Sequence, residues 1–179
     1  MYKDFEKVLV SKEQLAKRIS ELASELDKEY NGKNPLFIGI LKGSVFFTAD
    51  LLKALTIPCQ MEFMAVSSYG KETKSNGEVK LIKDLSVPIE GRHVIIVEDI
   101  VDSGNTLSYL KRILLQRNPA SIKIITLLDK PDRRKVDLKV EYIGFTIPDE
   151  FVVGYGLDYD EDYRTFDEVY ILKREVYEK

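Results

Sequence analysis

Val94-Ile-Ile-Val-Glu-Asp-Ile-Val-Asp-Ser-Gly-Asn-Thr106 joins an unbroken β-branched run to three carboxylates, two hydroxyls and a glycine. The run Val94–Val97 is what a central parallel strand covered on both faces requires. Leu107, Leu110, Ile113 and Leu114 then recur at helical spacing, and Asn118-Pro119 ends that helix. Ile122 to Leu128 reads as a second buried strand, so the stretch is the centre of a strand–helix–strand unit. In open parallel sheets ligands bind beyond the carboxyl ends of the strands, where Glu98 and Asp99 are expected to lie. The loop leads from them into a helix N-terminus, whose unpaired N–H groups and dipole favour an anion. Gly104 allows close backbone approach and Ser103 and Thr106 add hydroxyls, so the segment reads as a phosphate site. It lacks the Lys-Ser/Thr pair of a nucleoside-triphosphate loop. Three carboxylates would repel a phosphate unless they bind a cation or the ligand's own hydroxyls. Glu98, Asp99 and Asp102 suit both ribose hydroxyls and hydrated Mg²⁺.

Toward the N-terminus, Ser11-Lys-Glu-Gln14 is a capping box, flanked by Val10 and Leu15 as a hydrophobic staple. Leu15, Ile19, Leu22, Ala23 and Leu26 continue at helical spacing until Asn31-Gly32 and Pro35. Leu36 to Leu41 reads as a buried strand, Ser44 to Leu55 as a helix and Met61 to Val66 as a strand, another strand–helix–strand unit. Ser67 to Gly77 is almost free of apolar side chains and precedes a further strand at Glu78 to Leu85. It reads either as a solvated hairpin loop or as a mobile lid. Shorter strands are expected at Val140 to Phe145, Phe151 to Val153 and Val169 to Leu172. The whole predicts one α/β domain, residues 1–179, around a mostly parallel sheet.

Composition narrows the function classes. The chain has 179 residues, 44% hydrophobic and 32% charged, with a formal net charge of -3. That balance gives no broad basic surface for nucleic acid. The single cysteine, Cys59, has no disulfide partner, and the single histidine, His93, argues against a triad or a histidine-rich metal site. Neither a signal peptide's apolar stretch nor a membrane-spanning segment is apparent, so the expectation is a cytosolic protein without a membrane partner.

A hydrophobic strand, Glu-Asp, two aliphatics and Asp-Ser/Thr-Gly-X-Thr resemble the signature of type I phosphoribosyltransferases. A wider resemblance, to bacterial hypoxanthine-guanine phosphoribosyltransferases, runs from about Leu36 to Leu172. It passes through Leu41-Lys-Gly-Ser44, Ser68-Tyr69, Leu127-Leu-Asp-Lys-Pro131, the segment Gly144 to Tyr155, Leu157-Asp-Tyr159 and Arg164. The resemblance implies a parallel sheet flanked by helices, a small hood built by the chain ends, and a homodimer or homotetramer. It also implies Mg²⁺-dependent transfer of 5-phosphoribosyl from phosphoribosyl pyrophosphate to a 6-oxopurine.

Residue by residue, the resemblance makes Asp102 the proton acceptor facing purine N7. Asp102, Ser103, Gly104, Asn105 and Thr106 would wrap the 5′-phosphate, Asn105 through its backbone. Glu98 and Asp99 would serve the ribose hydroxyls and the metal. Lys42 and Gly43, after a non-proline cis peptide, would meet pyrophosphate together with Arg164. Lys130 would donate to the purine 6-oxygen; an ammonium has donors only, so it favours an oxo group over adenine's amino group. Phe151 would stack on the base, Val152 would read its edge through the backbone, and Asp158 beside them would hold a second magnesium's water shell. Ser68 and Tyr69 would belong to a lid spanning about 67–77.

Rival readings are a regulatory protein of this fold that binds nucleic acid, and a magnesium-binding receiver domain. The net charge argues against the first; the packing of carboxylates and hydroxyls into one loop argues against the second. Adenine or orotate transferases should lack the Lys130, Phe151 and Val152 set, while use of xanthine stays open.

Overall fold

The structure, a computed structural model, describes residues 2–68 and 79–178, so the expected lid residue Tyr69 lies outside the described residues. In chain order the elements are β1 (Phe5–Val10), α1 (Lys12–Tyr30), β2 (Leu36–Leu41), α2 (Val45–Ala54), β3 (Gln60–Ser68) and β4 (Val79–Lys83). Then follow β5 (His93–Val101), α3 (Asn105–Leu115), β6 (Ser121–Asp129), β7 (Tyr142–Thr146), β8 (Val152–Val153), β9 (Val169–Leu172) and the short α4 (Arg174–Tyr177).

The main sheet has the order β4-β3-β2-β5-β6-β7. All neighbours are parallel except β3 and β4, which pair antiparallel. Alternation along the strands sends Phe37, Ile95, Val97 and Ile125 to a core shared with α1 and α2. Leu36, Ile38, Val94, Ile96 and Ile124 go to the opposite face, against Leu107, Leu110 and Leu114 of α3. Each such side chain, fully buried, contributes about 1.5–3 kcal/mol of transfer free energy. The capping box forms as expected: Gln14 N–H donates to Ser11 Oγ at 3.3 Å, and Ser11 N–H to Gln14 Oε1 at 2.8 Å. Such a cap contributes about 1 kcal/mol.

Two elements differ from expectation. β1 was not expected, because Phe5-Glu-Lys-Val-Leu-Val10 buries only its ends and pairs with β9 through two irregularities. β5 continues past Val97 to Val101, because pairing with β6 carries on from Glu98↔Thr126 to Val101↔Asp129. Glu98 and Asp99 therefore stand on the strand, and the phosphate loop contracts to Asp102–Gly104. β1, β9 and β8 form a separate antiparallel sheet, the hood made by the chain ends. Its core is Phe5, Val153, Tyr170 and Leu172, with Phe151, Tyr159 and Tyr177 packed against it.

Candidate active site

Strand order reverses between β2 and β5, because β3 follows β2 to one side while β6 and β7 follow β5 to the other. That switch point opens a crevice at the carboxyl ends of the two strands. Two cavities occupy it, one of 580 Å³ and one of 300 Å³. Lys130, Asp149, Phe151 and Val152 line the larger, and Lys42, Gly43, Ser103, Gly104, Thr106 and Arg164 the smaller. Asp99, Ile100, Asp102 and Asp158 line both, so the two form one continuous site joined at these residues.

The smaller cavity is floored by backbone. The Leu41-Lys42 peptide is cis. A Cβ at Gly43 would lie 1.6 Å from Asp99 Oδ2, so a side chain there would push the Asp99 carboxylate out of its place in the site. Across it, Gly156 of the hood has φ +102°, and its Cβ would lie 2.0 Å from the Gly43 carbonyl oxygen. Gly104, at φ +82°, is the N-cap of α3 and has no side chain to cap it; Asn105 N–H donates to Ser103 Oγ at 3.3 Å, so the end of the helix meets the cavity beside that hydroxyl. Asn105 is exposed and lines neither cavity, so no side-chain role is visible for it.

The cations around this floor are loosely held or incompletely paired. Lys42 Nζ lies 2.7 Å from Glu161 Oε2, both side chains being well exposed, so a ligand can draw the ammonium away at small cost. Arg164 donates to the Gly156 carbonyl at 2.8 Å and pairs with Asp158 at 2.9 Å. Its Nε is buried without a hydrogen-bond partner, and Glu161 lies 3.3 Å from Nη2. Four non-glycine residues with left-handed backbone, Tyr155, Asp160, Glu161 and Tyr163, fall in this segment of the hood. Such strain, about 1–3 kcal/mol each, gathers at sites where surrounding structure enforces it.

Glu98 is 8% exposed and sits beside Asp99. Burial pushes the Glu98 carboxyl well above the usual carboxylate range, and the neighbouring Asp99 charge adds to it. Burial also raises Asp99, despite the nearby Arg164 charge. A divalent cation would relieve both, so the pair suits Mg²⁺, which takes one or two carboxylates and completes its shell with water and substrate oxygens. Among the described residues no three Asp, Glu, His or Cys side chains converge on a metal position. Glu98, Asp99 and Asp158 are thus not a three-ligand cage.

The raised carboxyl has a stability consequence. A group that binds its proton more tightly folded than unfolded stabilises the fold at low pH and loses that contribution as pH rises through its folded pKa. Metal-free Glu98→Gln should therefore melt about 2–4 °C above the parent near pH 8, corresponding to roughly 1 kcal/mol. The gap should close as pH falls toward the ordinary carboxylate range. Thermal unfolding in chelator across pH 5–8 measures it, and a gap independent of pH would contradict the assigned cause.

In the larger cavity Lys130 Nζ is nearly buried and donates to the Glu150 carbonyl at 2.6 Å, with Asp149 at 3.7 Å. Arg133 spans the cavity mouth, its Nε 3.0 Å from Asp102 Oδ1 and its Nη1 3.4 Å from Asp149 Oδ2. Arg134 pairs with buried Asp129 and donates to the Asp102 carbonyl at 3.3 Å. Lys135 N–H reaches the Ser103 carbonyl at 2.9 Å. The segment after β6 therefore clamps the phosphate loop while carrying Lys130. Phe151 precedes β8 and faces the cavity with Val152.

The phosphoribosyl transferase domain family matches residues 8–160. The chain belongs to this family. As a phosphoribosyl transferase domain it is 54% identical, over 178 residues, to hypoxanthine-guanine phosphoribosyltransferase of Bacillus subtilis, covering 99% of each chain. It is 52% identical to the bifunctional protein TilS/HprT of Listeria monocytogenes, covering 99% of this chain but only 27% of that longer protein. Among solved structures, hypoxanthine phosphoribosyltransferase from Staphylococcus aureus superimposes with TM-score 0.95 at 47% identity, covering 99% of this chain and 96% of that one.

This phosphoribosyl transferase domain brings together, around one crevice, every expected site residue except Asn105 and the lid pair. Ser68 ends β3 and only its backbone is described; Tyr69 is outside the described residues. Sequence reasoning missed Ile100, Arg133 and Asp149. Arg133 sits in the charged run Lys130-Pro-Asp-Arg-Arg-Lys135, which gives no hint that one arginine folds back across 31 residues to Asp102. No described helix is long and apolar enough to cross a membrane.

Proposed function

We propose that the chain catalyses reversible transfer of a 5-phosphoribosyl group from phosphoribosyl pyrophosphate to hypoxanthine or guanine, giving IMP or GMP and pyrophosphate in purine salvage. The observation that carries this reading is the continuity of the two cavities at Asp99, Ile100, Asp102 and Asp158. It gives an anion-binding floor and a base-binding slot with acidic groups between them.

In this reading the C1′–oxygen bond to pyrophosphate breaks as purine N9 bonds to C1′, and the proton on N7 passes to a carboxylate oxygen of Asp102. Backbone N–H groups at Lys42-Gly43 and the Lys42 and Arg164 cations receive the leaving pyrophosphate. The N-terminus of α3, with Ser103 and Thr106, holds the 5′-phosphate. Lys130 donates to the 6-oxygen, and the Val152 backbone reads the base edge. Glu98 and Asp99 serve the ribose hydroxyls and, with Asp158, the water shell of magnesium. When bound, Mg²⁺ supplies positive charge that neutralises the pyrophosphate oxygens. The Ser67 to Gly77 segment acts as a lid, the enzyme is cytoplasmic, and it assembles as a homodimer or homotetramer.

The test mixes protein, Mg²⁺, phosphoribosyl pyrophosphate and single purines, and follows nucleotide formation. IMP and GMP should accumulate and AMP should not, with xanthine as the informative fourth substrate. Absence of product with both hypoxanthine and guanine would overturn the proposal.

A further inference from the structure

Phe151 is not a free wall of the larger cavity. Its ring stacks on Tyr177 with centroids 4.7 Å apart and planes 23° from parallel. It also meets Tyr159 edge-to-face at 5.6 Å and 88°. Tyr177 ends α4, the four-residue turn at the C-terminal end of the described chain, and it lines the cavity together with Arg174 and Glu178. The turn is tied down at its start: Lys173 N–H donates to the Asp4 carbonyl at 2.9 Å, and Val176 N–H to the Lys173 carbonyl at 3.0 Å. Phe151 itself is held through its carbonyl, which accepts from Leu172 N–H at 2.9 Å. Its backbone is thereby fixed, while its ring orientation depends on its neighbours.

We propose that Tyr177 is a positioning residue for the purine: its ring backs one face of Phe151 and presents the other face to the base. This rests on the reaction proposed above. A phenyl ring on the wall of a large, open cavity has rotational freedom that a bound base must remove, and that loss weakens binding. A stacked neighbour on one face and an edge contact elsewhere remove it beforehand. Aromatic pairs of this geometry carry enough interaction to matter at the level of several-fold in affinity. Tyr177 lines only the larger cavity, and Asp4 and Lys173, which anchor its turn, line neither. The effect should therefore fall on the base and not on the phosphoribosyl donor.

The experiment compares the parent, Tyr177→Ala and Tyr177→Phe for kcat, for KM toward hypoxanthine and toward phosphoribosyl pyrophosphate, and for melting temperature. Tyr177→Ala should raise the hypoxanthine KM about three- to tenfold. Its kcat and its donor KM should stay near parental values, while its melting temperature should fall by only a few degrees, the cost of the lost stacking on Phe151. Tyr177→Phe, which keeps the ring and loses only the hydroxyl, should restore the purine KM. An unchanged purine KM in Tyr177→Ala would overturn the proposal. So would a joint rise of both KM values with a lowered melting temperature, which would mark a role in folding alone. A fall in the purine KM would show instead that Tyr177 competes with the base for Phe151. Should the parent make no nucleotide from any purine, the reaction itself is wrong and the purine slot goes with it. A working parent with an indifferent Tyr177→Ala overturns this inference only.

Discussion

Asp102→Asn is expected to reduce kcat for IMP formation by about 10²–10⁴-fold, the range general acid–base catalysis supplies. The amide keeps the size of the carboxylate but cannot take up a proton from N7. The ion pair it disrupts, to Arg133, joins two side chains that are 44% and 51% exposed, so the fold should lose little. The backbone of Asp102 remains clamped by Arg134 through its carbonyl. The melting temperature and donor binding should accordingly stay close to those of the parent. Turnover within a few-fold of the parent would remove the proton-accepting role from this residue.

Lys130→Ala should lower kcat/KM for hypoxanthine and guanine by about 10–150-fold, equivalent to the 1.5–3 kcal/mol of a hydrogen bond to a charged group. The ammonium already spends one donor on the Glu150 carbonyl, and the base's 6-oxygen takes another of its three. Truncation removes that contact and leaves the carbonyl without its partner. The donor KM should not move, because Lys130 lines only the larger cavity. Steady-state kinetics with hypoxanthine, guanine and adenine would detect the change. An unaltered purine profile would refute the contact.

What the sequence made legible follows physical range. Val94–Val97 announces a covered parallel strand because burial on both faces demands a continuous apolar run, and Ile122–Leu128, interrupted only by Lys123 and Thr126, reads as a second. The start of α1 is legible because its cap uses residues three apart. β1 escaped because its partner is β9, more than 150 residues along, and half of its own side chains, Glu6, Lys7 and Val8, face solvent. The end of β5 was misplaced because a Glu-Asp pair normally marks the close of a strand. Here the ladder to β6 continues, burying Glu98 and leaving Asp99 half-buried at the cavity wall. Arg133 and Tyr177 were invisible for the same reason as β1. Each acts on a residue brought to it by the fold, at Asp102 and Phe151, with no local pattern to mark the pairing.

Gly43 and Gly156 meet backbone to backbone, with the Asp99 carboxylate pressed against the first of them. Neither glycine carries a functional group, yet one added carbon at either would collide with the floor of the site. At these two positions inheritance is constrained by volume, not by reactivity. A side chain at Gly156 would have to displace the backbone of the turn that follows β2, so that stretch of the hood and that turn can change only together.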